Sequence, residues 1–214
     1  MSPFPPKSIA IAGAWGYIGR KFLDAARSLG GRTYAFDPGD MPPEVDAAHM
    51  TRVEEEREFY QLPAAFFHLA LHPEHRESGM ATLLERGRRE PLLILCEKPM
   101  ALPQCPDQCE YWGEATRDLA AVALYDYPEL FDDLTRRIQE YLAGFREVQI
   151  SEMRLWRSKD REDPSIPRNY KRMVTIQYQE SVHCLAFVLS LLGNLRGSLH
   201  EGRDTGVSIR AEAE

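Results

Sequence analysis

Long hydrophobic runs are missing from this sequence. No apolar stretch approaches the roughly 20 residues that a membrane span requires, and the N-terminal MSPFPPK lacks the basic-then-apolar layout of a secretory signal. A soluble, cytoplasmic protein with no membrane partner is expected. Cysteine is scarce as well: four thiols, Cys96, Cys105, Cys109 and Cys184, in 214 residues do not make a disulfide scaffold and fit a reducing compartment. Cys105 and Cys109 have no second pair at zinc-finger spacing. His68, His72 and His75 fall on a strand and its loop, which does not enforce one-face geometry, so no metal is expected. Basic clusters are also absent. The net charge of -7, with Lys and Arg interspersed among acids, argues against nucleic acid as a partner. There is no internal repeat and no low-complexity tract.

What the chain does have is apolar content, 43% of its residues, enough to bury a real core. SIAIA is a short, partly β-branched run that feeds GRKFLDAARSLGG, an amphipathic helix with Phe22, Leu23, Ala26 and Leu29 as its apolar stripe, stopped by paired glycines. TYAFD reads as a second buried strand, and EVDAAHMTRVEEEREFYQL as a charged helix with a connecting loop. PAAFFHLAL is a third strand, ESGMATLLERG a helix closed by Gly87, and LLILCEKP a further apolar strand. A helix-like DQCEYWGEATRDLA and the strand AVALYDY follow. Near-continuous apolar strands alternating with helices predict a parallel sheet covered on both faces. The first 125 residues are therefore an α/β, doubly wound domain.

From residue 126 to 214 the pattern changes. PELFDDLTRRIQEYLAG reads as one long helix, REVQISEMRLWRS alternates like a half-exposed strand, RSKDREDPSIPRNYKR is a loop, and VTIQYQESVHCLAFVLSLLG returns to helical periodicity. The tail has room for one or two short strands. This is an incomplete α+β domain with a mostly antiparallel sheet, and the unpaired strand edge predicts a homo-oligomer through that sheet.

Between the first strand and helix lies Gly13-Ala14-Trp15-Gly16-Tyr17-Ile18-Gly19. Backbone N–H groups at such a helix N-terminus can bind a pyrophosphate, and glycine leaves the phosphate its place. Against the usual G-x-G-x-x-G, the second and third glycines are in register and the first is alanine, with Gly13 one position early. A strand-to-helix turn with no ligand is the alternative. Asp37 ends the second strand about twenty residues on, where a carboxylate can accept from adenosine ribose hydroxyls and repel a 2′-phosphate, favouring NAD over NADP. Asp37 is equally suited to start an Asp-Pro-Gly turn.

Glu97-Lys98-Pro99 sits at the C-terminal end of a parallel strand, on the edge where open α/β sheets bind ligands. Together with the glycine turn, this strand resembles the E-K-P segment of the Gfo/Idh/MocA oxidoreductases, the glucose-fructose oxidoreductase and inositol dehydrogenase family. LHPEHRESGMATLLERG is similar to that family's strand end, Pro and His, and glycine-closed helix. SVHCLAFVLSLLG is similar to its His-bearing helix, so the likeness runs over roughly residues 7–195. The resemblance implies a Rossmann-like first domain and a chain shortened at its C-terminus. It implies that Lys98 contacts the substrate hydroxyl and the nicotinamide side of the cofactor, that His183 exchanges the proton, and that His75, Glu97 and Pro99 lie near the cofactor.

The implied reaction is hydride transfer between NAD, or less favourably NADP, and a sugar, cyclitol or related polyol. Where many family members carry an Asp one turn before the histidine, this chain has Gln179, with Glu180 beside it. Both fall on the substrate side, and position 186, often a second Asp, is Ala186. Glutamine hydrogen-bonds but takes no proton. A dinucleotide-binding regulator or pseudo-enzyme without turnover is the alternative.

Overall fold

The computed structural model describes residues 8–64, 66–102, 104–117, 122–146, 154, 183–188 and 190–191. The chain divides into two compact units, Met1–Asp126 and Tyr127–Glu214.

In the first unit six parallel strands form one sheet in the order β3-β2-β1-β4-β5-β6. They are β1 Ser8–Ala12, β2 Arg32–Phe36, β3 Met50–Arg52, β4 Phe66–Leu69, β5 Leu93–Glu97 and β6 Val122–Asp126. The helices are α1 Tyr17–Ser28, α2 Glu56–Phe59, α3 Glu77–Gly87 and α4 Pro106–Ala115. β1 pairs with β2 on one side (Ile11↔Ala35) and with β4 on the other (Ile11↔His68). Strand order therefore reverses between β1 and β4, the switch point at which open sheets of this kind place their ligand crevice. The sheet is the doubly wound α/β arrangement predicted from the strand and helix alternation.

Alternation along each strand sends side chains to two separate cores. Ala10, Tyr34, Phe67 and Ile94 pack on one face with Phe59, Tyr60, Met80 and Trp112 from the helices. Ile11 and Ala35 pack on the other with Trp15 and Ala26, flanked by Phe22 and Leu23 of α1. Each fully buried Leu, Ile or Phe side chain contributes about 1.5–3 kcal/mol, and this burial holds the short strands in place.

Three local expectations change. The segment expected to be a charged helix with its loop contains a single 3-10 turn at Ala47–His49, the edge strand β3 and only a four-residue α2. β3 is too short and too exposed to show a period. Leu29, expected in the apolar stripe of α1, is 59% exposed, because the helix stops at Ser28 and turns at Gly30, whose φ is +64°.

In the second unit, the long helix expected from Pro128 is a 3-10 turn at Pro128–Leu130 followed by α5, Asp133–Ala143. Asp132 caps α5 by accepting from the Leu134 N–H at 2.7 Å. Residues 183–188 and 190–191 are helical, as their periodicity predicts. The predicted strand over 146–158, the charged loop after it and the tail strands lie outside the described residues, as does the sheet edge on which the oligomer expectation rests. No described helix is long and apolar enough to cross a membrane.

Candidate functional site

The glycine turn is built almost wholly from its own backbone. Gly13 N–H and Ala14 N–H both donate to the Phe36 carbonyl, at 2.8 and 3.1 Å, and Gly16 N–H donates to the Gly13 carbonyl at 3.1 Å. Gly13 adopts φ +77°, a conformation open to glycine at little cost. A Cβ on it would also lie 2.8 Å from Ala70 C and Leu71 N. Gly13 thus does the work of the pattern's first glycine one position early, and Ala14 in its place is accommodated. Gly19 packs directly beneath the turn, where a Cβ would collide with the Gly13 carbonyl.

Gly16 differs from both. Its φ is -66°, and the single neighbour of an added Cβ would be the Gly13 carbonyl oxygen at 3.2 Å. That contact is tight, so a Cβ here would need the carbonyl to give by a few tenths of an ångström, a milder demand than the backbone collisions at Gly13 and Gly19. Arg20 N–H to the Gly16 carbonyl is the first intrahelical bond of α1, so the earlier amides have no acceptor within the helix. The first turn carries no acid. A glycine-walled space before a helix N-terminus without acids is suited to an anion, and a dinucleotide pyrophosphate fits it.

Asp37, half-buried, closes this turn from the end of β2. Its Oδ2 accepts from Trp15 N–H and its Oδ1 from Gly39 N–H, both at 2.9 Å. The second bond is the Asx turn expected of Asp-Pro-Gly. The first was not foreseen. A carboxylate has about four lone-pair positions, so two backbone bonds leave acceptor capacity for hydroxyl groups. Trp15 itself is buried among Ile11, Ala14 and Ala35. Tyr17 is 48% exposed, with the Lys21 ammonium 4.6 Å from its ring centroid, and Ile18 is half-buried.

At the adjoining strand ends, Lys98 is half-buried and joined to Pro99 by a cis peptide bond. Glu97 is buried beside it. Its Oε1 lies 3.1 Å from His68 Nε2, deep on the α1 face of the sheet, where the His68 ring sits 3.8 Å from that of Phe22. His75 is exposed in a 3-10 turn, Pro73–His75, and His72 stands 6.5 Å away between ring centroids. His72 Nε2 is a buried atom with no hydrogen-bond partner among the described residues. Burial holds the His72 pKa below the ordinary histidine value, and Arg76 and His75 push the same way against Glu74.

Arg76 is the residue the sequence reading passed over. It is 3% exposed. Its Nη1 donates to the carbonyls of Glu97 and Pro99 and to Cys96 Sγ, and its Nη2 donates to the Leu71 carbonyl at 2.7 Å. Among the described residues no carboxylate pairs with it. The signal was available: Arg76 directly precedes α3, and a cation at a helix N-terminus opposes the helix dipole, so it is there for another purpose. Burial pushes the neighbouring Cys96 thiol up despite Arg76, which keeps it protonated and unreactive.

His183 belongs to the second unit. It is 4% exposed and meets the Tyr127 ring edge-on at 6.2 Å between centroids. Gln179 and Glu180 lie outside the described residues. Among those described, no group of three or more His, Cys, Asp or Glu side chains is placed to hold a metal ion.

No family model matches the sequence, and no curated protein matches it. Solved structures resemble the fold. A protein assigned to the oxidoreductases from Magnetospirillum magnetotacticum is 16% identical, with a TM-score of 0.61 over 88% of this chain and 58% of its own. An NAD-binding oxidoreductase from Klebsiella pneumoniae is 17% identical, with a TM-score of 0.53 over 65% of this chain and 39% of its own. A super-repressor mutant of Gal80p from Saccharomyces cerevisiae is 15% identical, with a TM-score of 0.53 over the same shares, 65% and 39%. The chain thus spans between 39% and 58% of these structures. At such identity the likeness shows a shared Rossmann-like fold.

Proposed function

We propose that the chain is a nicotinamide-dinucleotide-dependent oxidoreductase of the Gfo/Idh/MocA kind, acting on a sugar, cyclitol or related polyol, with NAD preferred over NADP. The observation that carries this reading is Gly16. The fold constrains this glycine less than Gly13 or Gly19, through one tight contact to the Gly13 carbonyl, and a pyrophosphate drawn against the α1 N-terminus would add a strong reason for it. The fold likeness to an NAD-binding oxidoreductase points the same way.

Bound NAD supplies the hydride acceptor, or NADH the donor, and the chain does the rest. The α1 amides and Gly16 hold the pyrophosphate. Asp37, its carboxylate already oriented by Trp15 and Gly39, accepts from the ribose hydroxyls and disfavours a 2′-phosphate by charge. Lys98 lowers the energy of the developing alkoxide, an electrostatic contribution of about 3–4 kcal/mol in comparable settings. His183 takes the hydroxyl proton, since an imidazole nitrogen can serve as general base. Gln179 and Glu180 bind substrate hydroxyls.

Titration with NADH and NADPH by nicotinamide fluorescence, followed by a polyol screen read at the cofactor absorbance, tests this. Binding of NADH with reduction of NAD by at least one polyol is the expected result. Failure to bind either cofactor overturns it. The second reading, a dinucleotide-binding regulator without turnover, draws on the likeness to Gal80p, described as a transcriptional regulator in Kluyveromyces lactis. Tight NADH binding with no turnover in a broad screen favours it.

A further inference from the structure

We propose that Arg76 is a positioning residue that fixes Lys98 relative to the glycine turn; the functional part of this inference rests on the cofactor reading above. The two carbonyls that Nη1 holds, those of Glu97 and Pro99, flank Lys98 on either side. Peptide groups are planar, so anchoring the carbonyl before Lys98 and the one after Pro99 to one rigid guanidinium fixes the backbone from which the Lys98 side chain springs. The Cys96 Sγ contact at 3.1 Å extends the grip back into β5.

The other arm reaches the end of β4, beside the switch point. Nη2 holds the Leu71 carbonyl at 2.7 Å, in the segment after β4 against which Gly13 is so tightly placed that a Cβ would stand 2.8 Å from Ala70 C and Leu71 N. One side chain therefore ties the lysine loop to the segment that backs the glycine turn. Lysine is not equivalent here, since a single ammonium cannot reproduce a planar fork of five donors in fixed geometry. Because all four acceptors are neutral, the guanidinium keeps its charge for orienting dipoles and spends none on a counter-ion.

The test uses the full chain in three forms: wild type, Arg76→Met and Arg76→Lys. Without ligand, hydrogen exchange followed by mass spectrometry should accelerate about tenfold in peptides covering 70–75 and 97–102 of Arg76→Met, and stay within about twofold in β1 and β2. Unchanged rates in 97–102 would overturn the clamp. With NADH, pulse acetylation by acetic anhydride reads the environment of the Lys98 amine. NADH should slow Lys98 acetylation about tenfold in wild type and less than twofold in Arg76→Met, while nicotinamide fluorescence still reports binding. Equal protection in both would show that Arg76 does not position Lys98.

Should Arg76→Met lose exchange protection everywhere, Arg76→Lys carries both measurements, with acceleration confined to the same peptides and protection between the two extremes. No change from wild type in either measurement overturns the proposal. If wild type binds no NADH, the cofactor reading fails and the ligand-free exchange alone decides the clamp.

Discussion

The Trp15 amide donates to Asp37 Oδ2 at 2.9 Å, so the carboxylate suited to read the ribose also latches the glycine turn to the end of β2. Binding and architecture share one side chain, and substitutions must be chosen to separate them. Asp37→Ala removes both the Trp15 and the Gly39 bonds and should cost about 1–2 kcal/mol of stability. Asp37→Asn keeps one acceptor and removes the charge. NADH should bind wild type at least about tenfold tighter than NADPH, and Asp37→Asn should lose that preference while losing little stability. Fluorescence titration beside thermal unfolding measures the pair, and a preference surviving in Asp37→Asn would remove Asp37 from cofactor discrimination.

Gly19 and Gly16 should separate by phenotype. Gly19→Ala forces a Cβ into the backbone of Gly13 and Ala14 and should destabilise by about 3 kcal/mol. Gly16→Val should leave the circular dichroism spectrum close to wild type and abolish NADH binding. A folded Gly16→Val protein that binds NADH normally would mean the turn serves structure alone.

Once a substrate is found, Lys98→Met should lower turnover by about a hundredfold or more with a smaller effect on NADH affinity, since it deletes charge and keeps volume. His183→Asn should act similarly, because an amide hydrogen-bonds but takes no proton. Wild-type rates in either variant would exclude that residue from catalysis.

The buried His68–Glu97 contact predicts a difference between two conservative changes. Glu97→Gln keeps an acceptor for His68 and should cost under about 1 kcal/mol, whereas Glu97→Ala withdraws it and should cost about 2–3 kcal/mol. Urea unfolding decides. Equal losses would mean that the contact contributes little beyond packing.

His72 gives a pH signature. Its folded pKa lies below the unfolded value near 6.5 because burial disfavours the charged ring. Below that value the unfolded chain binds the proton more readily than the native one, so stability falls as pH drops below about 6.5. His72→Asn should flatten this part of the stability curve, measured by unfolding between about pH 5 and 7.5. An unchanged slope would assign it to other groups.

The alternation of apolar strands with glycine-closed helices made the parallel sheet legible, because strands buried on both faces leave continuous hydrophobic runs. β3 was not, since Met50-Thr51-Arg52 has neither length nor burial to impress a period. Gly13, Gly16 and Gly19 were legible as a turn, but their separate duties depend on distances to Ala70, Leu71 and the Gly13 carbonyl. No spacing rule supplies those. The Glu97 side chain meets His68, because the strand's period of two sends residue 97 to the same face as Leu95, and that contact was not legible in the E-K-P segment. Arg76 was marked in the sequence only by its place before α3, because the carbonyls it holds, 5 to 23 residues away, leave no mark there.

The amides of residues 13 to 16 are all bonded within the protein, to Phe36, Asp37 and Gly13 itself. The turn is therefore complete before any ligand arrives, and the amides that shape it are a different set from those that would meet a phosphate. Such a receptor loses little conformational freedom when it captures its guest, so affinity can come from modest contacts. Positions 14 and 15 are held from the other side, because Ala14 is fully buried and the Trp15 ring lies in the core with Ile11 and Ala35. A small and a large apolar side chain there tie the receptor loop to the same core that holds the sheet.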